Sequence, residues 1–337
     1  MPAANPCIEI AISSVDGFRI GHSSDPAAGT GCTAIVAPAG ATGGVDVRGG
    51  APASRETDLL RPENTVDVVH AVCLSGGSAF GLEAASGVAR ELERRGIGLD
   101  TGAALVPIVC SSCIFDLAFG DASVRPGVDD GVAAVRDALD SGADACAEGC
   151  VGAGTGATVG KLNGPSCAMK GGLGARAYGL GDLKVGAVAV VNACGNVHDP
   201  ATGRVVAGMR TAPDSLEIAD MEQALLERGA DAAMPLDRTN TTISCILTNA
   251  RLTKAQATKV AQMAADAYAH AIRPTHTTND GDTVYVLASG TAADDYPLDL
   301  IGLAATRALE AAIVAGAEQA TDLLGMPSAR SIVRSGD

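Results

Sequence analysis

The side chains able to do chemistry are few enough to weigh one by one. The ten cysteines include two close pairs, Cys110-x-x-Cys113 and Cys146-x3-Cys150. A zinc site would need a second pair or two histidines at ligand spacing. The five histidines, His22, His70, His198, His270 and His276, supply none beside either pair. The cysteines therefore read as small buried hydrophobes, kept as thiols in a reducing interior, and no metal or cofactor is expected. Three glycine motifs also fail. Gly156-Ala-Thr-Val-Gly160-Lys161-Leu162 is one residue short of a phosphate-binding loop, with Leu162 where a magnesium-holding hydroxyl belongs. Gly152-Ala-Gly154-Thr-Gly156-Ala157 meets a loose dinucleotide pattern but lacks the following helix and ribose-binding acid. Gly76-Gly-Ser78-Ala-Phe80 puts Phe80 at the second glycine of a nucleophile elbow, which leaves Ser78 as a helix N-cap. What remains is a hydroxyl run, Asn240-Thr241-Thr242, and an acidic run, Asp280-Gly281-Asp282. Two residues apart on an extended chain, the carboxylates would share one face. Taken alone, both runs are equally well explained by ordinary strand and turn preferences.

The elements that must position these groups follow from periodicity. Ser78 to Arg95 reads as a helix with Phe80, Ala84, Val88 and Leu92 on one face. Val128 to Leu139 is a second. Thr253-x-x-Gln256 forms a capping box ahead of Val260, Met263, Ala264 and Ala267, giving a helix toward Ile272 that Pro274 stops. A fourth covers Leu298 to Ala315. β-like runs span Cys32–Ala37, Leu105–Cys110, Ala168–Tyr178, Val185–Asn192, Thr241–Thr248 and Thr283–Ala288. The turn within Tyr178-Gly-Leu-Gly-Asp-Leu-Lys184 makes its two flanking runs antiparallel. Long antiparallel strands with grouped helices favour an α+β sandwich, read as one domain over 1–337.

Composition narrows the partners. Lys plus Arg number 24 against 39 Asp plus Glu, a formal charge of −15, which argues against nucleic acid or an anionic membrane. Aromatics at 2% leave few stacking platforms. The N-terminal apolar stretch from Ile8 to Ile12 contains Glu9 and is too short for a signal core. No apolar run is expected to reach membrane-spanning length, so a cytoplasmic location is expected. The 42 glycines imply many turns or many close backbone approaches.

Seven stretches occur in order along the chain: GVDVRGGAPASRETDLLRPENTV from Gly44, CLSGGSAFGLEAASGV from Cys73, GAGTGATVGKLNG from Gly152, KGGLG from Lys170, VVNACGNV from Val190, NTTISCILTNARL from Asn240 and RPTHTTNDGDTV from Arg273. Together they resemble the autoprocessing peptidase family that contains L-aminopeptidase D-amidase/esterase, the β-peptidyl aminopeptidases and nylon hydrolase (6-aminohexanoate-oligomer endohydrolase). The resemblance implies an αββα sandwich of the N-terminal-nucleophile type, usually a homotetramer or larger ring. It also implies self-cleavage between Asn240 and Thr241 into chains 1–240 and 241–337. Carried over by motif, Thr241 is the nucleophile, Asn192 an oxyanion-stabilising amide, and Lys161 a positive charge near the nucleophile. Asp280 and Asp282 are the acidic pair that orients the amine and Lys161. A Thr nucleophile and Asp-x-Asp place the chain nearer nylon hydrolase than the Ser-x-Glu aminopeptidases. The expected substrates are short peptides with a free N-terminus or ω-amino-acid oligomers. Alternatives are acyl transfer like that of ornithine acetyltransferase, whose Met-Ala-Thr cleavage context is absent, and an unprocessed binding or scaffold protein.

Overall fold

The computed structural model describes residues 7–141, 146–229 and 240–336. Its central strands are apolar at nearly every position rather than at alternate ones, the pattern of a sheet covered on both faces. Nine strands carry the architecture: β1 (Ile8–Ile10), β2 (Arg19–Asp25), β3 (Thr30–Val47), β4 (Val69–Ser75), β5 (Val109–Cys113), β6 (Leu173–Leu180), β7 (Leu183–Asn192), β8 (Thr241–Thr248) and β9 (Thr283–Ala288). The main helices are α1 (Ala84–Arg94), α2 (Val128–Asp140), α3 (Lys254–Ala264), α4 (Asp266–Ala271) and α5 (Leu298–Glu318).

Strand pairing runs β1-β6-β7-β8-β9-β3-β4-β5, ending on the short strand Ser54–Arg55, with β2 also on β3. The first half of β3 pairs with β2 and β4 and its second half with β9, and the register shifts between Val36 and Ala41. There β3 leaves one sheet for the other, so the ladder folds into two stacked layers. Ile35, Val72 and Leu74 of one layer share a core with Val188, Ile243, Leu247 and Tyr285 of the other. Outside the first layer, Cys32, Ala34 and Cys73 pack against Ala84, Val88, Ala134 and Val135 of α1 and α2. Outside the second, Ala187, Ala189 and Val286 pack against Val260, Ala305, Leu309 and Ile313 of α3 and α5. This is the expected αββα sandwich.

Much of the glycine content serves this layering. A Cβ at Gly131 would run into the carbonyl of Ala84, and one at Gly87 into that of Val128, so the two glycines let α1 and α2 cross in backbone contact. Gly181, at φ +61°, makes the turn that pairs Leu180 with Leu183 in the antiparallel β6–β7 ladder.

Several expectations need correction. Ser78 is not an N-cap: it has φ +54° and lies in a 3-10 turn, Ser78–Glu83, whose N-cap position is Gly77. That turn rotates Phe80 off the helix's apolar face, and it is 59% exposed beneath the Arg125 guanidinium. Leu105 to Cys110 is two pieces, Leu105–Val106 and β5, divided at Pro107, which has no N–H for a ladder. Ala168 to Tyr178 is likewise divided at Gly171-Gly172. The capping box at Thr253 forms, but α3 ends at Ala264 and α4 follows from Asp266. Helix α5 has 21 residues, and an 18-residue stretch of it reaches a mean hydropathy of 1.5, the length and composition of a bilayer span, contrary to expectation. Here it is a core helix, with Ile301, Ala305, Leu309 and Ile313 buried.

Candidate active site

Sheet register brings the predicted residues together. Thr241 is the first residue of β8 and lies directly opposite Asn192, the last of β7. On its other side β8 runs parallel to β9, and the same register extends back to a bridge between Asn240 and Asp280. The acidic loop therefore lies beside the peptide bond before Thr241. Thr241 Oγ1 donates a short hydrogen bond to the Asn240 carbonyl, and Gly281 N–H donates to the same oxygen at 3.3 Å.

Lys161 enters from the loop after the short strand Thr158–Val159, which docks by its backbone: Lys161 N–H donates to Cys194 O at 3.0 Å. Its ammonium, buried with the rest of the site, donates to Asn192 Oδ1 at 2.7 Å and Asn192 O at 3.0 Å. Thr158 N–H also donates to Asn192 Oδ1, at 3.0 Å, while Asn192 Nδ2 donates to Phe115 O at 3.0 Å. The amide is thus held from both ends. Burial lowers the Lys161 pKa to about 7, against the opposing pull of Cys194 and Asp280. Burial takes most of its hydration from the ammonium and so weakens its preference for the charged form.

The two aspartates do different things. Asp282 Oδ1 accepts from Thr242 N–H at 2.7 Å. Its Oδ2 accepts from Thr275 Oγ1 (3.2 Å), His276 N–H (3.1 Å) and His276 Nδ1 (2.8 Å). Asp280 accepts Thr277 N–H at 2.6 Å, and burial, then the charge of Asp282, raises its pKa to about 6. Asp280 of the pair, together with Asp116, is the acidic group whose field reaches Lys161. Asp282 acts as a bracket that ties the start of β8 to the acidic loop.

Sequence reasoning missed two side chains here. His276 supports Asp282 and packs its ring on Tyr268 at 5.4 Å between centroids, and the Tyr268 hydroxyl donates to Thr242 O and Thr283 O at 3.2 Å. Its position six residues before Asp282, in the same motif, was the available signal. Cys194 lies in the field of both Lys161 and Asp280, and burial pushes its thiol up to about 12. Six of the ten cysteines are buried. Among the described residues no group of three or more His, Cys, Asp or Glu side chains could hold a metal ion. A cavity of about 40 Å³ reaches Lys161 and Thr158 between Phe115, Phe119, Ala168 and Met326.

The arrangement offers a hydroxyl on the carbonyl of its own preceding peptide, an amide beside it, and a buried amine and carboxyl whose pKa values both lie near neutrality. Comparison with known proteins gives the family. The model of "Peptidase family S58" matches residues 11–330. An uncharacterised aminopeptidase of Mycobacterium tuberculosis is 41% identical over 351 residues, covering 95% of this chain and 97% of that protein. A 6-aminohexanoate-oligomer endohydrolase of Agromyces sp. is 33% identical over 276 residues, covering 81% and 73%. The structure of the L-aminopeptidase D-Ala-esterase/amidase of Ochrobactrum anthropi, described as a variant of the N-terminal-nucleophile hydrolase fold, superposes with a TM-score of 0.68 at 18% identity, covering 97% and 94%. The chain therefore belongs to peptidase family S58 and is a hydrolase built on the N-terminal-nucleophile fold.

Proposed function

We propose that this hydrolase activates itself by cutting between Asn240 and Thr241, and then uses Thr241 to hydrolyse amide bonds in short peptides or ω-amino-acid oligomers. The observation behind this reading is the contact of Thr241 Oγ1 with the Asn240 carbonyl, inside a cluster with Asn192, Lys161 and Asp280. In self-cleavage the Oγ–C bond forms as the C–N bond breaks, and the hydroxyl proton ends on the Thr241 nitrogen. Water then splits the ester, leaving a carboxylate on Asn240 and a free amine on Thr241. That amine, with an ordinary pKa of about 7.7–8.0, serves as the general base for its own hydroxyl, so no histidine base is required. During turnover Asn192 supplies an N–H to the tetrahedral oxyanion. Lys161 and Asp280 relay protons, and Asp282 fixes the first peptide of β8. The cavity beside Lys161 has Phe115, Phe119 and Met326 on its walls, which suit methylene groups of an aliphatic segment such as that of 6-aminohexanoate, and Asp116 and Thr158 as its polar lining. The proposal includes a cytoplasmic homotetramer, which light scattering of the purified protein would test.

Mass analysis under denaturing conditions tests the core of the reading. Fragments of about 24 and about 10 kDa, in proportion to length, are expected, together with one intact chain for Thr241→Ala. Thr241→Ser should still divide. An intact wild-type chain would overturn the reading. Release of 6-aminohexanoate units as against N-terminal amino acids then separates the two substrate classes.

A further inference from the structure

The bond that is cut has its own electrostatic support, distinct from the amide assigned to turnover. We infer that the backbone N–H of Gly281 is the oxyanion donor for self-cleavage. The inference rests on the reading that the chain divides before Thr241. Gly281 N–H donates to the Asn240 carbonyl oxygen at 3.3 Å, and this is the oxygen that gains negative charge when Thr241 Oγ adds to the carbonyl carbon. At 3.3 Å the bond is longer than the usual 2.9–3.0 Å of an amide hydrogen bond. It therefore has room to shorten as the oxygen becomes charged, which makes it stronger in the transition state than in the ground state. Asn192, by contrast, is held with Nδ2 on Phe115 O and Oδ1 on Lys161 and Thr158.

Two features fix the donor. The Asn240–Asp280 bridge continues the parallel β8–β9 register, so the sheet itself aims the N–H at the scissile carbonyl. The backbone of the acidic loop is also clamped from behind, with Ala51 N–H on Asp280 O at 2.8 Å and Arg48 N–H on Asp282 O at 3.0 Å. The residue must be glycine for a further reason. A Cβ at 281 would lie 2.9 Å from Thr241 Oγ1, 3.1 Å from its Cγ2 and 3.1 Å from the Ala51 carbonyl oxygen, crowding the nucleophile from one side and the clamping backbone from the other. The step itself is balanced: Oγ–C forms as the hydroxyl gives up its proton, the carbonyl π pair moves to oxygen under the Gly281 N–H, and the C–N bond then breaks as the pair returns and the proton ends on the Thr241 nitrogen.

The experiment replaces Gly281 by glycolic acid in the full-length chain, exchanging its N–H for an ester oxygen without adding a side chain. A parallel chain carries the hydroxy-acid analogue of Val286, which alters a β9 backbone N–H well inside the same strand. Self-cleavage is followed by mass at matched temperature, and folding by circular dichroism. The ester at 281 should slow division about 10²-fold, in line with loss of one oxyanion donor, while the ester at 286 leaves the rate within about threefold. Gly281→Ala, which keeps the N–H but sets a Cβ against Thr241 Oγ1 and the Ala51 carbonyl, should also divide slowly. Division of the 281 ester at the unmodified rate, or equal slowing by both esters, overturns the proposal while leaving Thr241 self-cleavage standing. An unmodified chain that never divides overturns the reading of the site, and this proposal with it.

Discussion

At the scale of single residues, the site depends on two groups moved toward neutrality from opposite sides. Asp280 is raised to about 6 by burial and by the charge of Asp282, and Lys161 is lowered to about 7 by burial. An acid with a raised pKa ionises later and an amine with a lowered pKa deprotonates earlier, so both become proton acceptors only as pH climbs through this interval. The rate of self-cleavage should therefore rise between about pH 5 and about pH 8. Asp280→Asn should remove the lower inflection and slow division about 10²-fold or more. A pH-independent rate in the unaltered chain would contradict this. His276 works through Asp282, and its variants should separate packing from positioning. His276→Ala removes the Nδ1 donor and should slow division about tenfold, the low end of the cost of a misplaced catalytic array. Asn at 276 places an amide nitrogen close to the position of Nδ1 and should restore most of the loss, which equal rates for the two variants would refute.

At the scale of elements, the site is an intersection of β7, β8 and the acidic loop ahead of β9, and the helices are supports. Thr253 caps α3 by accepting from Gln256 N–H, and Gln256 Oε1 in turn accepts from Thr253 N–H at 2.9 Å. Thr253→Ala should cost about 1 kcal/mol of stability, read from the urea midpoint of the uncut Thr241→Ala chain, and leave cleavage in the parent chain unchanged. Gly131→Ala forces a Cβ onto the Ala84 carbonyl and should cost about 1–3 kcal/mol by separating α1 from α2. These helices were legible because a 3.6-residue period and a capping box are local signals. The interruptions at Pro107 and Gly171-Gly172 were present in the sequence too, but the apolar residues around them masked the breaks. Phe80 was misplaced because helical spacing was extended back through a turn that is not α-helical.

At the scale of the whole molecule, burying the site has a thermodynamic cost that pH exposes. The folded-state pKa of Asp280 is raised, so its contribution is fully favourable below the ordinary carboxylate value and is lost as pH rises through about 6. Lys161 has the opposite sign: its depressed pKa costs nothing above the ordinary lysine value and costs progressively more as pH falls toward about 7. Near neutral pH the uncut chain bears both. Asp280→Asn in the Thr241→Ala background should then raise stability by about 1–3 kcal/mol at pH 8 and by much less at pH 4, and a gain equal at both pH values would be inconsistent with a buried ionising group. The sequence by itself determined an α+β sandwich and, through its ordered motifs, the family resemblance that implies the αββα class, because periodicity, turn chemistry and motifs are written along the chain. Only the tertiary structure decided how the site's members divide their work. That Lys161 reaches Asn192, that Asp282 serves β8 and His276 while the field of Asp280 reaches Lys161, and that Gly281 N–H meets the Asn240 carbonyl all follow from strand register and loop docking. Those contacts join segments far apart in sequence, and no local preference specifies them.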